Sequence, residues 1–230
     1  MENTDQDMRD YYSQRAPQYE KVYDYPERQK DLRFLEKFIP QQFRNRCVLE
    51  IAAGTGYWSQ FIVRQAKYLL ATDTEAETLA QLNLAQLNLA QSGRRNDTVK
   101  IETRIADAYR LTNINEKFDA LFAGHWFSHI PVDQREAFIK TIHSKLLPGA
   151  TVIFLDNSAA QLNRLPLSGT DGAGNTFQNR TLDDGSTHQI LKNFPKASEL
   201  EALVKLSSTN MIFKEMDHFW LFQYRYESSE

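Results

Sequence analysis

The sequence predicts an α/β protein built on a doubly wound sheet of about seven strands, most of them parallel. Three observations favour it. Short apolar segments alternate with helical segments between residues 47 and 158, and this succession is typical of a parallel sheet with helices on both faces. The first apolar segment ends in a glycine-rich turn, and the second ends in an acid. The chain has 230 residues, of which 41% are hydrophobic, which is enough for one sizeable core.

The individual elements follow from apolar periodicity and from the residues that start and stop helices. The strands are predicted at 47–52, 68–73, 98–107, 118–124 and 148–158. The helices are predicted at 28–39, 57–66, 74–91, 131–147 and 196–206, where Pro131 takes the first helical position that proline prefers. The last apolar stretch, MIFKEMDHFWLFQYRYE, is predicted to form two paired strands.

These elements indicate one domain with four regions. Residues 1–45 form an N-terminal helical cap, and residues 46–156 form the core that holds a cofactor. Residues 157–192 are polar, interrupt the alternation and are interpreted as an inserted hairpin or lid over the substrate. Residues 193–230 supply the last helix and the strand pair.

Composition limits the partners. The 27 basic and 30 acidic residues give a net charge of −3, which does not support a nucleic-acid surface. The single cysteine, Cys47, fits a reducing compartment. The acidic start MENTDQDMRD is unlike a signal peptide, and no run approaches the ~18 apolar residues that span a membrane. We therefore expect a cytoplasmic monomer or homodimer that acts on a small molecule, without nucleic acid or membrane as partner.

The glycine turn VLEIAAGTG, residues 48–56, is the strongest chemical signal. Gly54 and Gly56 let the backbone approach a ligand closely, and Asp73 at the end of the next strand is placed to accept the hydroxyls of a ribose. A dinucleotide site needs a third glycine, and Ser59 stands there. Glu50 would repel a phosphate and suits a cation. These residues alone fit a dinucleotide or another nucleoside cofactor.

The turn resembles motif I of the class I S-adenosylmethionine-dependent methyltransferases. Glu50, Gly54 and Gly56 match that motif, while Ala52 stands where the family usually has its first glycine. IADAYRL at 105–111 resembles the element in which an acid accepts from the adenine amino group, and LLPGA at 146–150 resembles the turn before the fifth strand. The resemblance covers roughly residues 10 to 156. It implies the strand order 3-2-1-4-5-7-6 and S-adenosylmethionine as cofactor, with S-adenosylhomocysteine as product.

The same resemblance implies which residues contact the cofactor. At the N-terminus it implies that Arg15 pairs with the methionine carboxylate while tyrosines at 11 and 19 shield the sulfonium. The alternative is that these three residues form a packed helical face. The full set of implied cofactor-binding residues is Tyr11, Arg15, Tyr19, Glu50, Ala52, Gly54, Gly56, Trp58, Asp73, Thr74, Asp107, Ala108, Gly124 and His125.

GHWFSHIP, residues 124–131, follows the fourth core strand at the edge of the sheet where ligands bind in such folds. Trp126 is interpreted as part of the wall of the substrate site. His129 has three interpretations: it caps the helix that starts at Pro131, it binds the substrate, or it is the catalytic general base. A base is needed only if the acceptor carries a proton. His143 is predicted to lie on a solvated helix face, and no metal site is predicted.

The segment NRTLDDGSTHQILK, residues 179–192, is predicted to form a hairpin that turns at Asp184 and Gly185. Arg180 and Lys192 would share one face of it and bind an anionic substrate, since arginine grips carboxylates and phosphonates in a fork. The alternative is an ordinary solvated hairpin. The segment also resembles, more weakly, the equivalent part of small-molecule O-methyltransferases, including phosphonate-methylating ones.

Together these features predict an enzyme that transfers a methyl group from S-adenosylmethionine to a small molecule at oxygen, with an anionic carboxylate- or phosphonate-type metabolite as the candidate acceptor. Two alternatives remain open on the residues. One is an NAD(P)-dependent oxidoreductase, which Glu50 and the bulky Tyr57 and Trp58 disfavour. The other is a binding protein that keeps the cofactor fold without catalysis.

Overall fold

The computed structural model describes residues 22–82 and 100–228. Seven strands form one sheet in the order β3-β2-β1-β4-β5-β10-β9, and three strands form a second, small sheet in the order β6-β7-β8. The large sheet confirms the predicted order and strand number. Its five core strands pair in parallel, and β10 runs antiparallel to both β5 and β9.

The bounds of the strands lie close to those predicted. They are β1 (Cys47–Ile51), β2 (Tyr68–Asp73), β3 (Lys100–Ile105), β4 (Phe118–Gly124), β5 (Leu146–Asn157), β6 (Gly169–Thr170), β7 (Thr176–Thr181), β8 (Thr187–Leu191), β9 (Ser208–Glu215) and β10 (Phe219–Tyr226).

The helices differ more from expectation. They are α1 (Gln29–Gln42), α2 (Ser59–Ile62), α3 (Ala76–Gln81), α4 (Arg135–His143) and α5 (Ala197–Val204). Pro40 lies inside the last turn of α1 instead of ending it. The helix predicted at 57–66 is one turn long and continues as turns. The predicted entry at Pro131 forms a short 3₁₀ turn, Val132–Gln134, before α4 begins. The second half of the helix predicted at 74–91 lies outside the described residues.

Apolar side chains cover both faces of the large sheet, as the doubly wound prediction requires. One buried cluster packs α4 and α5 against strands that include β4 and β10, and a second packs α1 and α2 against the opposite face. Within the described residues, no helix is long and apolar enough to cross a membrane. Because strands β1 to β5 are parallel, their carboxyl ends lie at the same edge of the sheet, and that edge carries the candidate site.

Candidate active site

The turn after β1 depends on backbone conformations that favour glycine. Ala52, Gly54 and Gly56 have φ of 52°, 57° and 87°, all in the left-handed region. A Cβ on Gly56 would lie 2.7 Å from the Leu82 Cγ. The turn thus requires glycine at 56 for space as well as for conformation. Ala52 adopts the left-handed region at a cost of roughly 1–2 kcal/mol, which explains why a glycine suits that position.

Asp73 lies beside this turn, as the spacing predicts. Its Oδ2 accepts a hydrogen bond of 2.9 Å from the Gly54 backbone N–H, and its Oδ1 accepts one of 3.2 Å from the Glu75 backbone. Burial raises the pKa of Asp73, although these backbone bonds oppose the rise. Thr74, the next residue, is exposed at the same edge. The carboxylate is therefore fixed at the carboxyl ends of two adjacent strands.

Glu50 is enclosed in the sheet below the turn. The Ser59 hydroxyl donates to its Oε2 at 2.6 Å. Burial, with a smaller contribution from the charge on Asp73, raises the pKa of Glu50 to about 8, and the Ser59 bond only partly opposes this. The carboxyl is therefore mostly protonated at neutral pH, and a cation bound nearby would favour its ionised form.

Aromatic rings line the space between the glycine turn and β4. The rings of Tyr23 and Tyr57 stack with centroids 3.5 Å apart, and Tyr23 also lies 5.8 Å from the His125 ring. A Cβ on Gly124 would lie 2.9 Å from the Trp58 Cδ1, so this position accepts no side chain. Within the part of the chain that the structure describes, the buried indole Nε1 of Trp58 and the buried Nε2 of His125 have no hydrogen-bond partner. The wall therefore offers aromatic faces and unused polar atoms.

The segment after β3 ends at the same edge. Asp107 Oδ1 accepts from the Tyr109 backbone N–H at 2.8 Å, and its Oδ2 lies 3.6 Å from the Arg110 Nε. The Asp107 carboxylate is half exposed, whereas Ala108 is buried. Both residues follow β3, which lies beside β2 in the sheet. They are therefore at the edge of the sheet where the sequence analysis expects them.

His129 lies in a 3₁₀ turn after β4 and is buried. Its Nδ1 donates to the Leu191 carbonyl at 2.6 Å, which leaves the lone pair on Nε2. Burial, with the positive charge of Lys192, holds the pKa of His129 well below its usual value. The predicted capping role is wrong, because Asn175 Oδ1 accepts from the Val132 backbone N–H at 2.9 Å instead.

The ammonium group of Lys192 is buried within the site. Its Nζ lies 2.6 Å from Asp156 Oδ1 and 2.6 Å from the Ser128 Oγ, and both the lysine and the aspartate are at most 1% exposed. The Ser128 backbone N–H donates to Asp156 Oδ2 at 3.0 Å. Burial lowers the pKa of Lys192 to about 8 although Asp156 opposes the fall. The hairpin is thereby tied to β5 and to the loop after β4.

Arg180 lies on the small sheet, whose strands β7 and β8 form the predicted hairpin. It pairs with His188 across the hairpin, and its Nη2 donates to Gln178 Oε1 at 3.1 Å. Arg180 and Lys192 are both buried, so an ordinary solvated hairpin is the wrong interpretation for these two side chains. Arg180 and the buried Arg28 each add to the positive potential that Lys192 experiences.

The two aromatic residues of the loop 124–131 differ in how deeply they are buried. The Trp126 ring is half-buried against Tyr109, with centroids 5.7 Å apart, and its Nε1 has no hydrogen-bond partner among the described residues. Phe127 is fully buried in the core. The role of Trp126 in the wall of a substrate site stays a prediction. The predicted cofactor residues Tyr11, Arg15 and Tyr19 lie outside the described residues.

Sequence reasoning missed four of the residues described here, namely Tyr23, Arg28, Ser128 and Asp156. Asp156 ends a parallel strand just as Asp73 does, so the rule that identified Asp73 would also have identified Asp156. Ser128 and Arg28 carry no such signal, since long-range packing brings them to the site. The prediction for His143 was wrong: it is buried, and its Nε2 hydrogen-bonds the Tyr224 hydroxyl at 2.8 Å on the core side of α4.

Comparisons with known proteins agree with this arrangement. A family model described as a methyltransferase domain matches residues 48–150. A solved DhpI–SAH complex is 25% identical and covers 100% of both chains, with a TM-score of 0.77. A DhpI–SAM–HEP complex is 27% identical and covers 98% of this chain and 99% of that one, also with a TM-score of 0.77.

A more distant match shares the fold. A methyltransferase from Clostridium acetobutylicum that depends on S-adenosylmethionine is 18% identical, covers 94% of this chain and 99% of its own, and has a TM-score of 0.60. A comparison with curated protein sequences finds no match.

Proposed function

Since the chain belongs to the class I S-adenosylmethionine-dependent methyltransferases and methylates a small molecule, we propose that its acceptor is an anionic metabolite, methylated at an oxygen of its carboxylate or phosphonate group. The observation that carries this proposal is the charge around Lys192. Within residues 22–82 and 100–228, the Asp156 carboxylate contacts Lys192 and favours its charged form, while Arg180 and Arg28 both disfavour it. A bound anion balances that buried positive charge.

The residues of the glycine turn fit S-adenosylmethionine. Gly54 and Gly56 leave room for close approach, and Asp73 offers a buried carboxylate at the edge of β2 to ribose hydroxyls. Glu50 becomes ionised most readily beside a cation, and the aromatic rings of Trp58 and Tyr23 favour a positively charged sulfonium. When bound, the cofactor supplies an activated methyl group. Asp107 and Ala108 are assigned to the adenine, and Thr74 to the ribose end.

The acceptor is assigned to the other side of His125. Arg180 and Lys192 bind its anionic group, Trp126 forms part of its wall, and the segment 157–192 covers it. The chain's contribution to the reaction is orientation, since holding nucleophile and methyl group in line can supply roughly 7–11 kcal/mol. The DhpI complex supports two adjacent sites, because it is a structure of similar length that holds SAM together with a second small molecule, HEP.

His129 is assigned to binding, and it is not needed as a strong base. A carboxylate or ionised phosphonate oxygen is already a nucleophile without loss of a proton. The lowered pKa of His129 also makes it a weak proton acceptor at neutral pH. Its Nδ1 bond to the Leu191 carbonyl fixes the ring, which experiences the charge of Lys192, and we assign this ring to the wall of the acceptor site.

Turnover of a matched panel tests the proposal. Full-length protein is incubated with methyl-labelled S-adenosylmethionine and with alkylphosphonates, carboxylic acids, phenols and amines of similar size. We expect labelled methyl esters from members of the first two classes, identified by mass and, for the carboxylic acids, by release of labelled methanol in alkali. Methylation of amines or phenols alone would contradict the anionic acceptor while leaving the family assignment intact.

A further inference from the structure

We propose that Asp156 is a positioning residue for methyl transfer, which holds the Lys192 ammonium at the place where the anionic acceptor binds. This inference rests on the proposed function. Asp156 is completely buried at the carboxyl end of β5, and Lys192 follows the last strand of the hairpin sheet. The two atoms that meet, Nζ and Oδ1, lie 2.6 Å apart across 36 positions of sequence.

Both oxygens of Asp156 are used to hold its neighbours. Oδ1 accepts from the Lys192 Nζ and, at 2.8 Å, from the Asn157 backbone N–H. Oδ2 accepts from the Ser128 backbone N–H at 3.0 Å, and the Ser128 hydroxyl in turn accepts from Lys192. The carboxylate therefore fixes both the Lys192 ammonium and the loop after β4 that carries Ser128. A carboxylate that accepts these three hydrogen bonds is suited to orient a partner and unsuited to move with an acceptor.

The charged groups around Lys192 determine how strongly its ammonium depends on Asp156. Among the described residues, the titratable and charged groups around the Lys192 ammonium come from four parts of the chain, namely Arg28 before α1, His125 and His129 after β4, Asp156 in β5 and Arg180 in β7. Asp156 is the only anion in this set, while both arginines disfavour a charged lysine. Without Asp156, burial and the two arginines would push Lys192 toward its neutral form.

Two effects of Asp156 on an anionic acceptor therefore oppose each other. Its negative charge repels the acceptor, but it also keeps Lys192 charged and in place. The geometry favours the second effect, because the ammonium contacts Asp156 directly, with Nζ 2.6 Å from Oδ1. Asp156→Asn keeps the shape and removes the charge, so it separates the two effects by the sign of the change in KM.

The test is a double-mutant cycle on the full chain with Asp156→Asn, Lys192→Met and the double variant, using an acceptor that the wild-type protein methylates. We expect Asp156→Asn to raise KM for the acceptor by about 10- to 100-fold with a smaller change in kcat. It should change KM little in the Lys192→Met background. We also expect the alkaline limb of kcat/KM to move to lower pH in Asp156→Asn. Equal effects in both backgrounds, a lower KM, or an unmoved limb would overturn the proposal.

A second measurement needs no acceptor, so it separates this inference from the proposed function. Proteins with ¹³C-labelled lysine are titrated by NMR, and the Lys192 signal is the one that is lost in Lys192→Met. We expect its midpoint to fall in Asp156→Asn and to stay in place in Asp217→Asn. That control removes the charge of an exposed lysine–aspartate pair, Lys30–Asp217, at 2.8 Å. An unchanged midpoint in Asp156→Asn refutes the inference even if the wild type methylates anions.

Discussion

The backbone N–H of Gly54 donates to Asp73 Oδ2 at 2.9 Å, and this bond joins the ends of two neighbouring parallel strands. The bond holds the Asp73 side chain in one orientation beside the turn. The same bond explains why an acid 19 positions after Gly54 marks a nucleoside site in a sequence of this kind.

Asp73→Asn should weaken binding of S-adenosylhomocysteine by about 10- to 100-fold, because hydrogen bonds to a charged acceptor contribute roughly 1.5–3 kcal/mol. Calorimetric titration of the full chain measures this. Asp133→Asn, which removes an exposed carboxylate at the entry to α4, serves as the control and should bind as the wild type does. An unchanged Kd for Asp73→Asn would show that the acid does not contact the cofactor.

Arg180→Ala should raise KM for the anionic acceptor by about 10-fold or more while S-adenosylhomocysteine affinity stays within about twofold, because the buried guanidinium is assigned to the acceptor and not to the cofactor. Arg180→Lys keeps the charge but not the fork, and it should lie between the wild type and the alanine variant. Steady-state kinetics with each substrate varied in turn separates the two affinities. An unchanged KM in Arg180→Ala would contradict the proposed contact between Arg180 and the anion.

His129→Asn should keep kcat/KM within about 10-fold of the wild type, since an asparagine Nδ2 can take over the donation to the Leu191 carbonyl. His129→Phe, which fills the space without that donor, should lose more. Because burial keeps His129 neutral, its own titration should leave no inflection in the kcat/KM profile between pH 6 and 8. A loss of roughly 10²- to 10⁴-fold in His129→Asn, together with loss of an acid limb, would instead identify a general base.

His143 should make stability depend on pH. Burial lowers its pKa to about 4, so the folded protein favours the neutral ring. The associated stability, of order 3 kcal/mol, is present above the unfolded pKa of roughly 6.5 and is lost as pH falls toward 4. His143→Gln keeps a donor near the Tyr224 hydroxyl and does not titrate. The difference in free energy of unfolding between the two proteins should shrink between pH 7 and 4, measured by urea denaturation; a constant difference would contradict the assignment.

Sequence reasoning reached further for the cofactor half of the site than for the acceptor half. The turn after β1, Asp73 and Asp107 are positioned by strand order, and strand order follows from the alternation of apolar and helical segments. Local chemistry and spacing therefore sufficed there. The hairpin that turns at Asp184 and Gly185 was also predictable, because these turn-forming residues lie between two segments that are able to form strands.

The acceptor half depends on packing between distant segments. Lys192 meets Asp156 and Ser128 only because the small sheet folds back onto β5, and no local pattern encodes that contact. His143 was wrongly placed for a related reason: a histidine suits either face of a helix, and only the packing of the terminal strand β10 on α4 sets the Tyr224 hydroxyl against it. Helix ends were mispredicted where turns replaced the last helical residues after Ile62.

The most direct test of the account compares one acid with its neutral analogue. The wild-type chain is supplied with S-adenosylmethionine and either an alkylphosphonate or the alcohol of the same carbon skeleton, and kcat/KM is measured for each. We predict methyl ester formation from the phosphonate, with kcat/KM at least about 10²-fold above that of the alcohol, because the alcohol lacks the anionic group that Arg180 and Lys192 are proposed to bind. Equal or faster methylation of the alcohol would contradict the central claim that Arg180 and Lys192 select an anionic acceptor.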